Sequence, residues 1–327
     1  MSESPVSRDA AVQVSPEKPK AVCLIGPTAS GKTDLAIEIV QRLPYDIINV
    51  DSAQIYTQMD IGTGKPDAQT LAKAPHRLFD FLDPAMSYSA SQFRSDAIQE
   101  MQSIVDKGRV PLLVGGTMMY FKALRDGLAT MPSADEQIRA QILTLAQQDG
   151  WQEVHRLLAE VDPESAQRIH PNDPQRLQRA YEVYLVSGKT MSQLHQEQRS
   201  NEPCLPFDLQ FIGIAPKERA LLHQRIETRF KGMLDKGLVA EVEALYARGD
   251  LDLSMPSMRS VGYRQVWQYI AGEISFDAMV ERGIIATRQL AKRQITWMRG
   301  WEELQSFDST EPETLDLILK SAERVAI

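Results

Sequence analysis

The sequence predicts an α/β fold, in which a parallel sheet flanked by helices carries an inserted helical subdomain and a helical C-terminal region. Three observations lead there. Short apolar runs at Ala21–Ile25, Asp46–Val50 and Val110–Val114 end in turn residues and are separated by helical stretches, the pattern of strands buried in a parallel sheet. From Ser133 to about Gln198 the spacing is helical, rich in Gln, Glu, Arg and Leu, and punctuated by Pro163, Pro171 and Pro174. Asp208–Ile214 then reads as a strand that returns to the core.

Taken in order, residues 1–19 are rich in Ser, Pro and charge without periodicity and read as a flexible tail. Ala21–Ile25 is the first strand. Thr33–Leu43 follows as a helix, with Leu35, Ile39 and Leu43 repeating at i and i+4. Asp46–Val50 is a strand ending at Asp51, and Val110–Val114 is a strand ending in Gly115–Gly116. Residues 200–206 form a loop before the returning strand. Arg219–Arg248 is a long helical stretch interrupted near Gly237, and Gly262–Arg299 is helical again. The expected organisation is a core of 20–129 and 207–327 with 130–206 inserted.

With 327 residues, 43% of them hydrophobic and 24% charged, the chain has ordinary globular composition. No apolar run is long enough to span a membrane, and the first twenty residues lack the apolar stretch of a secretory signal. Cys23 and Cys204 alone cannot build a disulfide framework or a Cys-rich zinc site, so a cytoplasmic protein is expected. The formal net charge of −8 does not favour wholesale nucleic-acid binding, but it says nothing about local patches.

The strongest chemical signal is Gly26-Pro27-Thr28-Ala29-Ser30-Gly31-Lys32-Thr33, a G-x-x-x-x-G-K-[ST] phosphate-binding loop between a predicted strand and a predicted helix. It makes the predicted sheet P-loop NTPase-like. Its glycines let the backbone turn N–H groups toward phosphate oxygens, and the helix N-terminus adds positive potential. Lys32 neutralises phosphate charge and the Thr33 hydroxyl can bind Mg²⁺. Ser187-Gly188-Lys189-Thr190 repeats the G-K-T letters, but Val183 stands where the first glycine belongs, and the segment reads as a turn. The loop alone implies only a bound di- or triphosphate.

Other residues converge on the same crevice, because ligands of open α/β sheets bind beyond the carboxyl ends of the strands. Asp51 is placed to bind Mg²⁺ through water, to accept a proton, or simply to cap a loop. Gly115-Gly116-Thr117 is either a close backbone approach to a ligand or a plain strand-to-helix turn. Asp60–Pro66 reads as a mobile surface loop rather than a second phosphate loop. Basic residues gather at Arg168, His170, Arg176 and Arg179, and again from Arg259 to Arg299, where Tyr263, Trp267, Trp297 and Trp301 interleave. That mixture suits phosphate contacts and base stacking, and equally suits helix surfaces with buried aromatics.

Together the segments resemble the bacterial tRNA isopentenyltransferase (tRNA dimethylallyltransferase) family. The resemblance runs from about Lys20 to Trp301. It rests on GPTASGKT at 26–33, DSAQIYTQMDIGTGKP at 51–66, VGGTMMY at 114–120, NDPQRLQRAYEV at 172–183, SVGYRQVW at 260–267 and TRQLAKRQITWMR at 287–299. It implies transfer of a dimethylallyl group from dimethylallyl diphosphate to N6 of adenosine 37 in tRNAs that read codons beginning with U. The phosphate loop would then hold a leaving diphosphate with Mg²⁺ on Thr33, joined by Asp51 through water, and Asp51 would be the general base. Lys32, Thr33, Thr117 and Arg139 would share in catalysis. The anticodon stem-loop would meet Asp51, Ser52, Ala53 and Gln54, then Thr117 and Arg139. It would also meet Gln175, Arg176, Leu177, Gln178 and Arg179, and Ser260, Val261, Gly262, Tyr263, Arg264 and Gln265. Lys292, Arg293, Gln294, Trp297 and Arg299 complete the implied set. The resemblance further implies that 130–206 is a subdomain closing over the anticodon stem-loop and that the enzyme acts as a monomer. Rival readings are a small-molecule P-loop kinase, an adenylate isopentenyltransferase and a P-loop RNA-binding switch.

Overall fold

The computed structural model describes residues 17–201 and 205–326; residues 1–16 of the expected tail and 202–204 of the expected loop lie outside them. The described residues form two compact units, one of 17–121 with 206–326 and one of 122–201 with 205. No helix among the described residues is long and apolar enough to cross a membrane.

The first unit is built on β1 (Lys20–Ile25), α1 (Lys32–Arg42), β2 (Tyr45–Val50), α2 (Ala68–Lys73), β3 (His76–Arg77), α3 (Ala90–Val105), β4 (Val110–Gly115) and the start of α4 (Met118–Asp126). The second unit comprises the rest of α4, α5 (Glu136–Asp149), α6 (Trp151–Val161), α7 (Pro163–Arg168), α8 (Pro174–Ser187) and α9 (Met191–Asn201). The chain then returns to the first unit with β5 (Asp208–Ala215), α10 (Arg219–Asp235), α11 (Leu238–Tyr246), α12 (Tyr263–Ile270), α13 (Phe276–Arg299), β6 (Leu304–Asp308) and α14 (Thr314–Ala326).

The sheet runs β3-β2-β4-β1-β5-β6, and every pair is parallel. Ala21 to Ile25 of β1 are fully buried, as a central strand covered on both faces requires. On one face Val22, Leu24, Ile47, Leu112 and Ile212 meet Leu35, Ala36 and Ile39 of α1 and Ile318, Leu319 and Ala322 of α14. The Tyr45 hydroxyl donates to the Ala322 carbonyl at 2.8 Å and fixes α14 there. The core expected over 207–327 carries, beyond Arg299, two elements that the sequence analysis does not name, β6 and α14. The β6 segment LQSFD pairs on one side only and offers two apolar residues, too few to register as a run.

The register fixes the site end of the sheet. Ile25 pairs with Gly115 and with Gly213, and Val50 pairs with Gly115, so β1, β2, β4 and β5 end side by side. A second apolar cluster joins Ile55, Tyr56 and Met59 to Phe230 of α10, Leu238 and Val242 of α11, Tyr263 and Trp267 of α12 and Met279 and Ile284 of α13.

In the second unit, Ile142, Val154, Leu158, Ala166, Ile169, Leu177 and Ala180 form the core. Asp135, Asp162 and Asp173 cap α5, α7 and α8, and Pro163 and Pro174 stand in the first helical turns, where a missing N–H costs nothing. Gly188 ends α8 in the left-handed conformation, so the G-K-T letters at 188–190 follow a helix C-terminus and not a strand.

Candidate active site

The phosphate loop leaves β1 and opens α1. Gly31 takes φ +90° at the helix N-cap, a conformation L side chains rarely adopt, and Ala29 is held at φ +62°. The Lys32 ammonium folds back and donates to the Pro27 carbonyl at 3.1 Å. Desolvation within the loop pushes its pKa down to about 8, with Asp51 opposing that shift and Arg229 reinforcing it. Thr33 follows Lys32 in the first turn of α1, partly exposed. The Ser30 hydroxyl is buried without a hydrogen-bond partner among the described residues.

Asp51 leaves the end of β2. Its Oδ1 accepts the Ala53 N–H at 2.9 Å and the Gln54 N–H at 3.4 Å, which orients the carboxylate from its own turn. Thr117 joins this turn to the loop after β4. Its Oγ1 accepts the Ser52 N–H at 3.0 Å and donates to Ser52 Oγ at 3.3 Å, and its own N–H donates to the Val50 carbonyl at 3.2 Å. Tyr120 stacks on Phe93 with ring centroids 4.4 Å apart; burial raises its phenol pKa, and Tyr56 and Asp51 raise it further.

Two residues that carried no role in the sequence reading complete the surroundings. Arg229 of α10 lies against Gly64, and burial pushes its guanidinium pKa down while Asp51 and Asp34 raise it. Its sequence signal was available: Leu222, Ile226 and Phe230 mark the buried face of α10, and a charge three residues after Ile226 sits on that face. Glu241 of α11 accepts the N–H groups of Asp60, Ile61 and Gly62 at 2.9, 2.7 and 3.1 Å, and the Tyr263 hydroxyl at 2.5 Å. Asp60–Pro66, expected as a mobile surface loop, is therefore pinned onto α11. Its Lys65 donates to the Tyr56 carbonyl, Asp60 and Asp80, so that ammonium is engaged within the chain. Gln54 Nε2 donates to the Thr63 and Gly64 carbonyls, which ties the Asp51 turn to the same loop.

Gln294 of α13 lies between the two glycine-rich loops. Its Oε1 accepts the Thr28 N–H and its Nε2 donates to the Gly116 carbonyl, both at 2.9 Å. Around it α13 is two-faced. Ala291, Gln294 and Met298 are buried, while Lys292, Arg293, Trp297 and Arg299 are exposed. Of the interleaved aromatics, Tyr263, Trp267 and Trp301 are buried and Trp297 is 38% exposed. Tyr263 is thus a core residue hydrogen-bonded to Glu241, which removes its side chain from the expected nucleic-acid surface. Ser260, Val261 and Gln265 are partly exposed, Arg264 is exposed, and Gly262 starts α12 at φ +96°.

The second unit gathers a separate basic cluster. Glu182 of α8 is fully buried and accepts Arg139 Nε at 2.9 Å, Arg179 Nη1 at 2.8 Å and the Asp135 N–H at 2.9 Å. Arg179 also donates to the Pro132 carbonyl, and Gln178 donates to the Arg139 carbonyl. Arg176 is largely exposed, with a loose ion pair to Asp173 at 3.4 Å, and Gln175 is exposed. Leu177, expected among the contact residues, is core. Lys32, Asp51, Thr117 and Gln294 thus belong to one unit, and Arg139, Gln178 and Arg179 to the other.

Comparison with known proteins adds a family to this geometry. The IPP transferase family model matches residues 54–301. The full-length tRNA isopentenylpyrophosphate transferase of Bacillus halodurans is similar at 32% identity, with a TM-score of 0.69 over 94% of this chain and 97% of that one. The tRNA delta(2)-isopentenylpyrophosphate transferase of Staphylococcus epidermidis is similar at 34% identity, with a TM-score of 0.66 over 94% and 98%. A eukaryotic dimethylallyltransferase acting on tRNA superposes with a TM-score of 0.77 at 26% identity, over 94% of this chain and 78% of that one.

Proposed function

The chain belongs to the IPP transferase family, and from that premise we propose that it transfers a dimethylallyl group from dimethylallyl diphosphate to N6 of adenosine 37 in tRNAs reading codons that begin with U. The observation that carries this reading is the convergence of a phosphate loop, a carboxylate and Thr117 at the ends of the adjacent parallel strands β1, β2 and β4. A phosphate loop beside a carboxylate suits a diphosphate that leaves, with an acceptor that must lose a proton.

In this mechanism the bond between the allylic carbon and the diphosphate oxygen breaks as a bond from N6 to that carbon forms. Lys32, Arg229 and the loop N–H groups stabilise the negative charge that builds on the departing oxygen. An exocyclic adenine amine is a poor nucleophile because its lone pair is delocalised into the ring. Asp51, oriented through Oδ1 by two backbone amides, takes the N6 proton as the new bond forms. The target base must leave its stack to reach the carboxylate, at a cost of about a few kcal/mol. Exposed Lys292, Arg293, Arg299 and Trp297 on α13 supply phosphate contacts and a stacking face to offset it.

Among the described residues no three His, Cys, Asp or Glu side chains cluster to hold a metal. The Thr33 hydroxyl and the Asp51 carboxylate are hard oxygen donors of the kind that would suit Mg²⁺. They would hold the ion, and its chemistry there is to neutralise diphosphate charge.

The test mixes purified protein, Mg²⁺ and labelled dimethylallyl diphosphate with unmodified tRNA, AMP or no acceptor, and follows ATP hydrolysis in parallel. Label is expected in tRNA alone. Label in AMP would identify a nucleotide prenyltransferase, and ATP turnover without transfer would identify a kinase-like enzyme; either result overturns the proposal.

A further inference from the structure

We infer that Gln294 is a positioning residue that shapes the phosphate loop from α13, and that its side chain does not read a base. The inference rests on the reading of 26–33 as the diphosphate site and adds to it a part that the loop's own sequence lacks.

The phosphate loop meets α13 in two ways. Gln294 holds the Thr28 N–H through Oε1 and the Gly116 carbonyl through Nε2. Next to Thr28 in the loop, Ala29 packs with Ala291 and Ile295 of α13 and Leu222 and Ile226 of α10. Ala29 is a non-glycine residue at φ +62°, a conformation that costs about 1 kcal/mol or more and persists only when its surroundings hold it. Positions 291, 294 and 295 lie on one face at i, i+3 and i+4, so a single helix turn supplies both the polar and the apolar brace.

The chemistry of the side chain fits the task. A primary amide has both an acceptor and donors, and Gln294 faces one N–H and one carbonyl. Lys could not accept from Thr28, Glu could not donate to Gly116, and Met could do neither. The fit is tight as well: a Cβ on Gly116 would stand 2.4 Å from Gln294 Nε2 and 3.0 Å from the Gly26 carbonyl oxygen. With its amide engaged at both ends and only 8% of the residue exposed, Gln294 differs from its neighbours Lys292, Arg293 and Trp297, which point outward.

Q294M preserves the length and volume and removes both hydrogen bonds. Calorimetric titration with isopentyl diphosphate, a saturated analogue that has no allylic bond to break, is expected to show affinity about tenfold or more below wild type, as for a donor left unpaired inside a loop. Titration with an anticodon stem-loop RNA is expected to stay within about twofold. Hydrogen exchange at Thr28, compared between Q294M and Q294E, separates loss of this one contact from a general loosening of the fold. The Thr28 amide is expected to lose protection in Q294M and keep it in Q294E, which retains the acceptor. Unchanged diphosphate affinity in Q294M, or an equal loss of RNA affinity, overturns the inference. If Q294M does not fold, an unprotected Thr28 amide in folded Q294E overturns it instead. Wild-type protein that binds no alkyl diphosphate would refute the diphosphate reading itself, and Thr28 protection would still decide whether the clasp exists.

Discussion

A pH titration of diphosphate binding isolates what Lys32 contributes. Its ammonium lies within the loop with a pKa near 8, lowered first by desolvation and then by Arg229, and raised by Asp51. A diphosphate binds the protonated form, so affinity is full below that pKa and falls as pH rises through it, until the pKa of the bound state is reached. Between about pH 7 and pH 9 the protonated fraction of the free site drops from roughly nine-tenths to one-tenth, a loss of about tenfold in affinity. Isopentyl diphosphate loses its last proton at about pH 6, so above about pH 7 its charge changes little, and K32R titrated with the same ligand removes what change remains. The neighbours give the account its sign. R229Q removes a like charge and should move the fall to higher pH. D51N removes an opposite charge and should move it lower. K32R, charged throughout, should give a flat profile whatever its absolute affinity. A flat wild-type profile, or the same fall in K32R, would refute the placement of Lys32 on the diphosphate.

Other outcomes follow from the same contacts. Asp51→Asn should lower turnover by about two to four orders of magnitude while alkyl diphosphate affinity at about pH 7 changes far less; steady-state kinetics paired with calorimetry separate the two, and near-normal turnover would remove Asp51 as the base. Gly62→Ala should destabilise the protein by about 1–3 kcal/mol in denaturant melts, because its Cβ would stand 2.5 Å from the Tyr263 ring, and a neutral result would mean the 60–66 loop does not pack on α12. Arg176→Ala should reduce the salt slope of tRNA binding by about one with no change in stability. Arg179→Ala should also cost about 1–3 kcal/mol, since it leaves the buried Glu182 short of a partner; equal stabilities would place Arg179 outside that network.

The centre of the sheet was legible because its strands are short apolar runs punctuated by glycine and aspartate, and the phosphate loop was legible because its backbone geometry demands particular residues. Asp51 and Thr117 followed from the rule that strand ends meet in one crevice. What escaped the sequence did so for physical reasons. The β6 segment is a half-exposed edge with little apolar signal. Arg229 approaches the site from α10, more than a hundred residues away in the chain, and only its place on a buried helix face marks it. Glu241 clamps a loop through three backbone N–H groups, a contact no side-chain pattern announces. The basic stretch from Arg259 to Arg299 mixes two roles that composition does not separate. Tyr263 and Trp267 build the core, while Trp297 and the charges beside it face outward.

A chain that prenylates one adenosine of tRNA leaves its mark on that nucleoside alone. The most direct measurement incubates the protein with Mg²⁺, dimethylallyl diphosphate and two anticodon stem-loops that differ only in A37 or G37, then digests each RNA to nucleosides for mass spectrometry. One adenosine heavier by a dimethylallyl group in place of a hydrogen is expected in the A37 RNA, none in the G37 RNA, and loss of the product with Asp51→Asn. Modification of the G37 RNA, or no modified nucleoside from either RNA with active wild-type protein, would contradict that expectation.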